Sequence, residues 1–119
     1  MSDTTTKLQD LRELVAAFVR ERDWNQFHTP KNLSMYLAVE AAELMEKFSW
    51  VESKDSLQEL ESNRQEVEDE VADVLCVLLC FANASNIDLA TALRHKLALT
   101  AAKYPVEKAK GKATKYTKL

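Results

Sequence analysis

A chain with a single glycine, Gly111, and only two prolines, Pro30 and Pro105, among 119 residues has few means of making tight turns. A sheet protein of this length needs many of them, and turns draw on Gly and Pro for conformations that other residues resist. Ala, Leu, Glu and Lys are abundant instead, and these favour helices. The chain is therefore expected to be all-α, with long helices and few connections. Its length fits one domain, residues 1–119.

Apolar spacing places the helices. Leu8, Leu11, Leu14 or Val15, and Phe18 recur at helical period and predict a helix over residues 6–22. An aromatic-bearing loop follows, from Asp23 to Thr29. Thr29 is placed to cap a second helix whose first turn accepts Pro30, and Leu33, Leu37, Leu44 and Phe48 carry that helix over residues 31–49. The polar stretch 51–61 predicts a loop or short helix. Ser62 and Gln65 form a capping-box pattern before a third helix, which runs into the apolar segment 74–82 and breaks at 83–86. Being apolar on every side, that segment is expected to be enclosed all round. Asp88 is placed to cap a fourth helix over residues 89–103, ended by Tyr104-Pro105. Four such helices should pack as a bundle, with the second and third adjacent and antiparallel.

The formal net charge of −3 excludes an overall basic field, so a nucleic-acid partner is not expected. Positive charge gathers at the end of the chain, where Lys108, Lys110, Lys112, Lys115 and Lys118 face Glu107 alone; residues 106–119 read as a basic, flexible tail. Cys76 and Cys80 share one helical face inside an apolar run and read as free thiols. Helical backbone is too rigid for an easy bridge between them, and the spacing is not a usual zinc pair. No leader pattern opens the chain, and its longest apolar run is too short to span a bilayer. A soluble, cytoplasmic protein with no membrane partner is expected.

Two carboxylate pairs carry the chemistry. Glu40 and Glu43 lie on the second helix and Glu70 and Asp73 on the third, each pair three apart and so on one face. A single such pair is usually a solvated, salt-bridged surface. Two pairs on successive helices, both embedded in apolar sequence, are different. Buried carboxylates cost several kcal/mol when uncompensated, and like charges push each other's pKa upward. No Lys or Arg sits one turn away on the third helix to offset Glu70 and Asp73. A divalent cation resolves the conflict, and all-oxygen donors select a hard ion, Mg²⁺ or its substitute Mn²⁺. A di-iron centre would need Glu-x-x-His on facing helices, and neither His28 nor His95 stands in either pair.

Mg²⁺ held by carboxylates keeps positions for phosphates, which implies a polyphosphate substrate and attack of water on phosphorus. A nucleobase needs an aromatic surface, and Trp24, Phe27 and Trp50 flank the second helix at its two ends. Lys31, Lys96, Lys103 and the tail are candidate cations for the phosphates.

This pattern resembles the MazG-type all-α nucleoside triphosphate pyrophosphohydrolases. Glu21-Arg22-Asp23-Trp24, Gln26-Phe27-His28, Pro30, Asn32-Leu33, Phe48, Trp50, Tyr104-Pro105 and Lys115-Tyr116-Thr117 are similar to the single-domain dCTP pyrophosphatase branch. The resemblance implies a four-helix domain assembled as a homodimer or a tetramer of two dimers. It implies Mg²⁺ on Glu40, Glu43, Glu70 and Asp73, and hydrolysis at the α-phosphorus with release of pyrophosphate. It implies that Trp24 and Trp50 line the base pocket with Phe27 and His28 beside them, and that Lys96 touches phosphates together with Lys103 and Tyr104. The chain departs from the vertebrate dCTP enzymes, which carry His, Tyr, Asp and Asn where this chain has Val15, Val77, Ala98 and Thr100. Losing polar groups weakens discrimination between base edges, so a relaxed or altered base preference is expected. Substrates such as dUTP or a phosphoribosyl nucleotide fit the same superfamily. A non-catalytic helical module whose acids bind metal or a basic partner is the alternative from another class.

Overall fold

The computed structural model describes residues 1–119 and contains helices and turns without a strand. The α-helices are α1 (Leu8–Glu21), α2 (Pro30–Glu46), α3 (Ser56–Ser62), α4 (Arg64–Ser85), α5 (Leu89–Lys103) and α6 (Val106–Ala109). Short 3₁₀ turns lie at Trp24–Phe27, Ser53–Asp55 and Tyr116–Lys118. The chain forms two compact units, Met1–Asn86 and Ile87–Leu119. No single helix is long and apolar enough to cross a membrane.

The four long helices stand where the apolar spacing put them, and two of their caps are made as expected. The Thr29 hydroxyl accepts from the Asn32 amide at 3.2 Å with Pro30 in the first turn, and the Asp88 carboxylate accepts from the Thr91 amide at 2.9 Å. Three boundaries differ. Helix α2 stops at Glu46, not Ser49, because the chain tightens there: the amides of Lys47, Phe48 and Ser49 each reach back three residues, and the Ser49 hydroxyl also takes the Glu46 carbonyl. No capping box forms at Ser62, which ends α3, and α4 begins at Arg64 without a side-chain cap. Helix α4 runs on through Asn83 to Ser85 and ends where Asn86 takes a left-handed φ of 53°, a conformation Asn tolerates.

In the first unit, α1, α2 and α4 share a small core. Val19, Leu33 and Cys80 are buried together, one from each helix, with Val15, Cys76 and Phe81 packed against them. The polar contacts fix the directions. Arg12 of α1 donates to the Asn83 side chain at 3.0 Å, and Asn83 donates back to the Arg12 carbonyl at 3.1 Å. Lys47, just past the end of α2, pairs with Glu66 near the start of α4 at 3.4 Å, while Leu33 near the start of α2 meets Cys80 near the end of α4. The two helices are therefore antiparallel, as expected.

Burial departs from expectation along α4. Val67, Leu79, Cys80 and Ala82 are buried, but Val71, Leu75 and Leu78 are 50%, 41% and 38% exposed. Three neighbouring helices cannot cover a helix that is apolar all round. In the second unit, residues 106–119 form the basic end of the chain. They hold α6 and the last 3₁₀ turn, and the Tyr116 ring meets Tyr104 edge-on at 5.8 Å with the Lys103 ammonium 4.8 Å from its centroid.

Leu33 is the α2 contribution to the three-helix core, so Leu33→Ala should lower unfolding free energy by about 2–5 kcal/mol. Thr29→Ala, which removes only a cap, should cost about 1 kcal/mol. Urea unfolding followed by helical circular dichroism would rank the two; equal costs would mean that α2 is not held by this core.

Candidate active site

The register of α2 against α4 brings the two carboxylate pairs together. One oxygen from each of Glu40, Glu43, Glu70 and Asp73 lies within 4.8 Å of all the others. Glu40 and Glu70 are half-buried, and each has a buried carboxylate oxygen without a hydrogen-bond partner. Orphaned buried acceptors are rare and costly. Four all-oxygen donors that include two orphans fit a hard divalent cation held by these residues.

The electrostatics agree. Burial, then hydrogen bonding and repulsion from Glu43, then repulsion from Asp73 and Glu70, hold the Glu40 carboxyl above the usual carboxylate range. Glu70 is raised by burial and by the charges of Glu43 and Asp73, against a partial offset from Lys47. Lys47 is the nearby cation that sequence reasoning missed. It stands one turn beyond Glu43, just past the end of α2, and faces the start of α4, so searching the third helix alone could not find it.

Beside the acids, a cavity of about 450 Å³ opens between α1, α2, α4 and the turn that joins α1 to α2. Asp23 takes a left-handed φ of 53° and starts that turn, which presents Trp24 and Phe27 to the cavity. Trp24 packs edge-on against Phe18 at 5.8 Å, and the Arg22 guanidinium covers the Phe18 ring at 3.7 Å. His28, Tyr36, Cys76, Val77 and Cys80 complete the wall with Val19 and Leu33. The cavity adjoins the acids through helical spacing, since Tyr36 lies one turn before Glu40 and Cys76 one turn after Asp73. The neighbouring Cys80 thiol draws the Cys76 pKa down to about 7, against burial and the charges of Asp73 and Glu40, which raise it. The neighbouring Cys76 thiol, and then burial, push Cys80 up.

Of the expected substrate contacts, Trp24, Phe27 and His28 line the cavity and Trp50 does not. Trp50 is 95% exposed in the turns after α2. A helix of 17 residues spans roughly 25 Å, so aromatics flanking its two ends cannot share one pocket within this unit. Lys31 is exposed in the first turn of α2 and lines neither the cavity nor the acid cluster. Lys96 is exposed on α5, and Lys103 and Tyr104 join the Tyr116 contacts of the second unit. Phe18 and Tyr36 are cavity residues that the sequence reading did not single out. Tyr36 was within reach, standing one turn before Glu40 on the same face.

A carboxyl whose proton affinity is raised by folding adds stability at low pH that is lost as pH rises through its raised value. In metal-free protein, Glu40→Gln should therefore raise the thermal midpoint by a few degrees at about pH 7, with the advantage shrinking toward about pH 5. Thermal melts at both pH values check this, and an unchanging advantage would contradict the repulsion described above.

Three comparisons bear on this site. A family model described as the MazG-like family matches residues 36–119, which include all four acids. The dCTP pyrophosphatase 1 of Bos taurus is 38% identical over 114 residues, covering 94% of this chain and 68% of that protein. The Homo sapiens protein of the same name is 37% identical over 114 residues, with coverage of 94% and 67%. Among solved structures, a pyrophosphatase from Archaeoglobus fulgidus matches with a TM-score of 0.80 and 34% identity, over 88% of this chain and 98% of that one. With its all-helical fold and the acids gathered at one place, the chain belongs to the MazG-like family, on the dCTP pyrophosphatase-like branch, and is a nucleotide pyrophosphohydrolase.

Proposed function

We propose that this pyrophosphohydrolase is Mg²⁺-dependent and converts a deoxynucleoside triphosphate, dCTP or a modified relative among them, to its monophosphate and pyrophosphate. The observation that carries the reading is the four-carboxylate cluster, with its two orphaned oxygens, set against an aromatic cavity. Glu40, Glu43, Glu70 and Asp73 hold the cation, with Mn²⁺ able to replace Mg²⁺. When bound, the cation draws charge from the phosphates and from the leaving pyrophosphate. Trp24 and Phe27 offer faces to the base, and His28 supplies a polar edge. Lys96, Lys103 and Tyr104 serve the phosphates, and Lys31 adds positive charge at a distance. Water attacks the α-phosphorus, a carboxylate takes its proton, and the α–β anhydride breaks. The whole chain acts as one domain in the cytoplasm, consistent with its two free thiols.

Base selectivity is relaxed. Val77, one of the positions without the polar residue of the vertebrate enzymes, lies on the cavity wall, and Val15 packs against the core beside it. An apolar wall discriminates weakly between base edges. A homo-oligomer also follows, because exposed apolar residues recur at helical spacing as Val71, Leu75 and Leu78 on α4 and Leu93 and Leu97 on α5. In that assembly a second copy covers the α4 stripe, and Trp50, far exposed in one chain, gains a pocket to serve. Nucleotide-pool cleaning is the cellular role that suits a small hydrolase with broad base tolerance.

Pyrophosphate release from a panel of dNTPs and NTPs, with and without Mg²⁺, tests the reading. The expected products are monophosphate and pyrophosphate with Mg²⁺ only, and rates within roughly 10–200-fold across the bases, the range apolar pockets give. Release of single phosphate would mean that a different bond is cut and would sink it; no turnover with any of them would point first to a modified nucleotide and then to the binding module. Glu43→Gln and Asp73→Asn should lower turnover by at least about 100-fold, the upper loss expected from an outer partner of a metal ligand alone. Helicity must stay intact in both variants, since activity lost only through unfolding would leave the assignment unsupported.

A further inference from the structure

Cys76 and Cys80 are not used by the proposed reaction, yet both stand on the wall of the aromatic cavity. They lie one turn apart on α4, on one face. Cys76 is partly exposed, so the pair is reached from the cavity side, while Cys80 is packed into the three-helix core with Val19 and Leu33.

This geometry is poor for a disulfide and good for a chelate. A disulfide needs Cβ atoms about 3.8 Å apart, whereas Cβ atoms one helical turn apart stand about 5–6 Å from each other. Two sulfurs bound to one ion, each at about 2.3 Å, are separated by roughly 3.8–4.6 Å, according to the angle at the ion. Thiols one turn apart reach that separation with the helix intact. Sulfur donors select soft ions, and the apolar wall offers hard ions nothing. The acid cluster one turn away selects hard ones, so α4 carries two sites of opposite preference, separated by the step from Asp73 to Cys76.

We propose that Cys76 and Cys80 form a dithiol site for a soft, thiophilic metal or metalloid ion in the cavity wall, distinct from the carboxylate site. With a trivalent arsenical the reaction balances without oxidation or reduction. Two S–H bonds and the arsenic–oxygen bond break, two As–S bonds form, and both protons leave with the oxygen as water. A bound ion would lie inside the cavity that Trp24 lines.

The test uses the full chain, reduced and free of metal, in a Trp50→Phe background so that Trp24 is the single indole. Phenylarsine oxide is titrated in the presence of excess glutathione, a competing monothiol. The expected result is one arsenical per chain by intact mass, with a change in Trp24 emission that saturates at the same stoichiometry. Cys76→Ser and Cys80→Ser should each bind roughly 100-fold more weakly or worse, because each loses the second, intramolecular bond and its high effective concentration. Glu43→Gln, which alters the carboxylate site, should bind the arsenical as the parent does. Single-cysteine variants that bind like the parent would overturn the proposal, and so would labelling that occurs only after the protein is unfolded. None of these readouts requires turnover, so failure here and failure of the pyrophosphohydrolase reading are separable.

Discussion

The antiparallel packing of α2 on α4 holds four carboxylates closer together than their charges favour, and the rest of the first unit is organised around that conflict. Burial and mutual repulsion raise Glu40 and Glu70, and only Lys47 offsets any of it from within the chain. The cost is borne by apolar contacts elsewhere on the same helices. Leu33 and Cys80, with Val19 from α1, clamp the far end of the helix pair. The Lys47–Glu66 pair sits beyond the acids at the other end, where solvent leaves it a minor contribution. A cation held among the four carboxylates would relieve that repulsion. Binding free energy and folding free energy are then linked, and a ligand that binds only the folded state stabilises it.

The same register that gathers the acids places the cavity. Tyr36, Glu40 and Glu43 follow one face of α2, and Asp73, Cys76 and Cys80 follow one face of α4. A molecule with a charged end and an aromatic end finds both complements along one line, set by helical spacing alone. The left-handed Asp23 adds the aromatic rim, because it turns the chain tightly enough to bring Trp24 back onto Phe18. The carboxylate cluster and the aromatic surface are thus consequences of one helix pair and one turn.

Much of this was legible in the sequence where local chemistry decides. The scarcity of glycine and proline gave the helical class, Thr29 and Asp88 marked two helix starts, and the apolar setting of Glu40, Glu43, Glu70 and Asp73 marked them as a group. What was not legible depended on distance in space. Trp50 was grouped with Trp24 because both adjoin α2, but α2 itself keeps them apart within one chain. Lys47 was overlooked because its partner lies across the helix pair. The aromatic contact of Tyr116 with Tyr104 lies outside what a charge pattern shows. The end of α4 was set too early at Asn83, whose side chain does not break the helix but is used up in the exchange with Arg12.

Helix α4 carries opposite demands on its two sides. Its inner side bears the charged and sulfur donors, and its outer stripe, Val71, Leu75 and Leu78, is apolar and uncovered. Water tolerates a scattered exposed leucine, but a stripe at helical spacing is a surface shaped for another apolar surface. Covering it would fix α4 from behind while the α2 contact fixes it from the front. Both faces share one rigid backbone, so whatever settled on the outer stripe would also hold Glu70 and Asp73 in register with Glu40 and Glu43. Assembly and metal binding would then stabilise the same helix position. This gives a physical reason for a chain with so small a buried core to keep four mutually repelling acids at its centre.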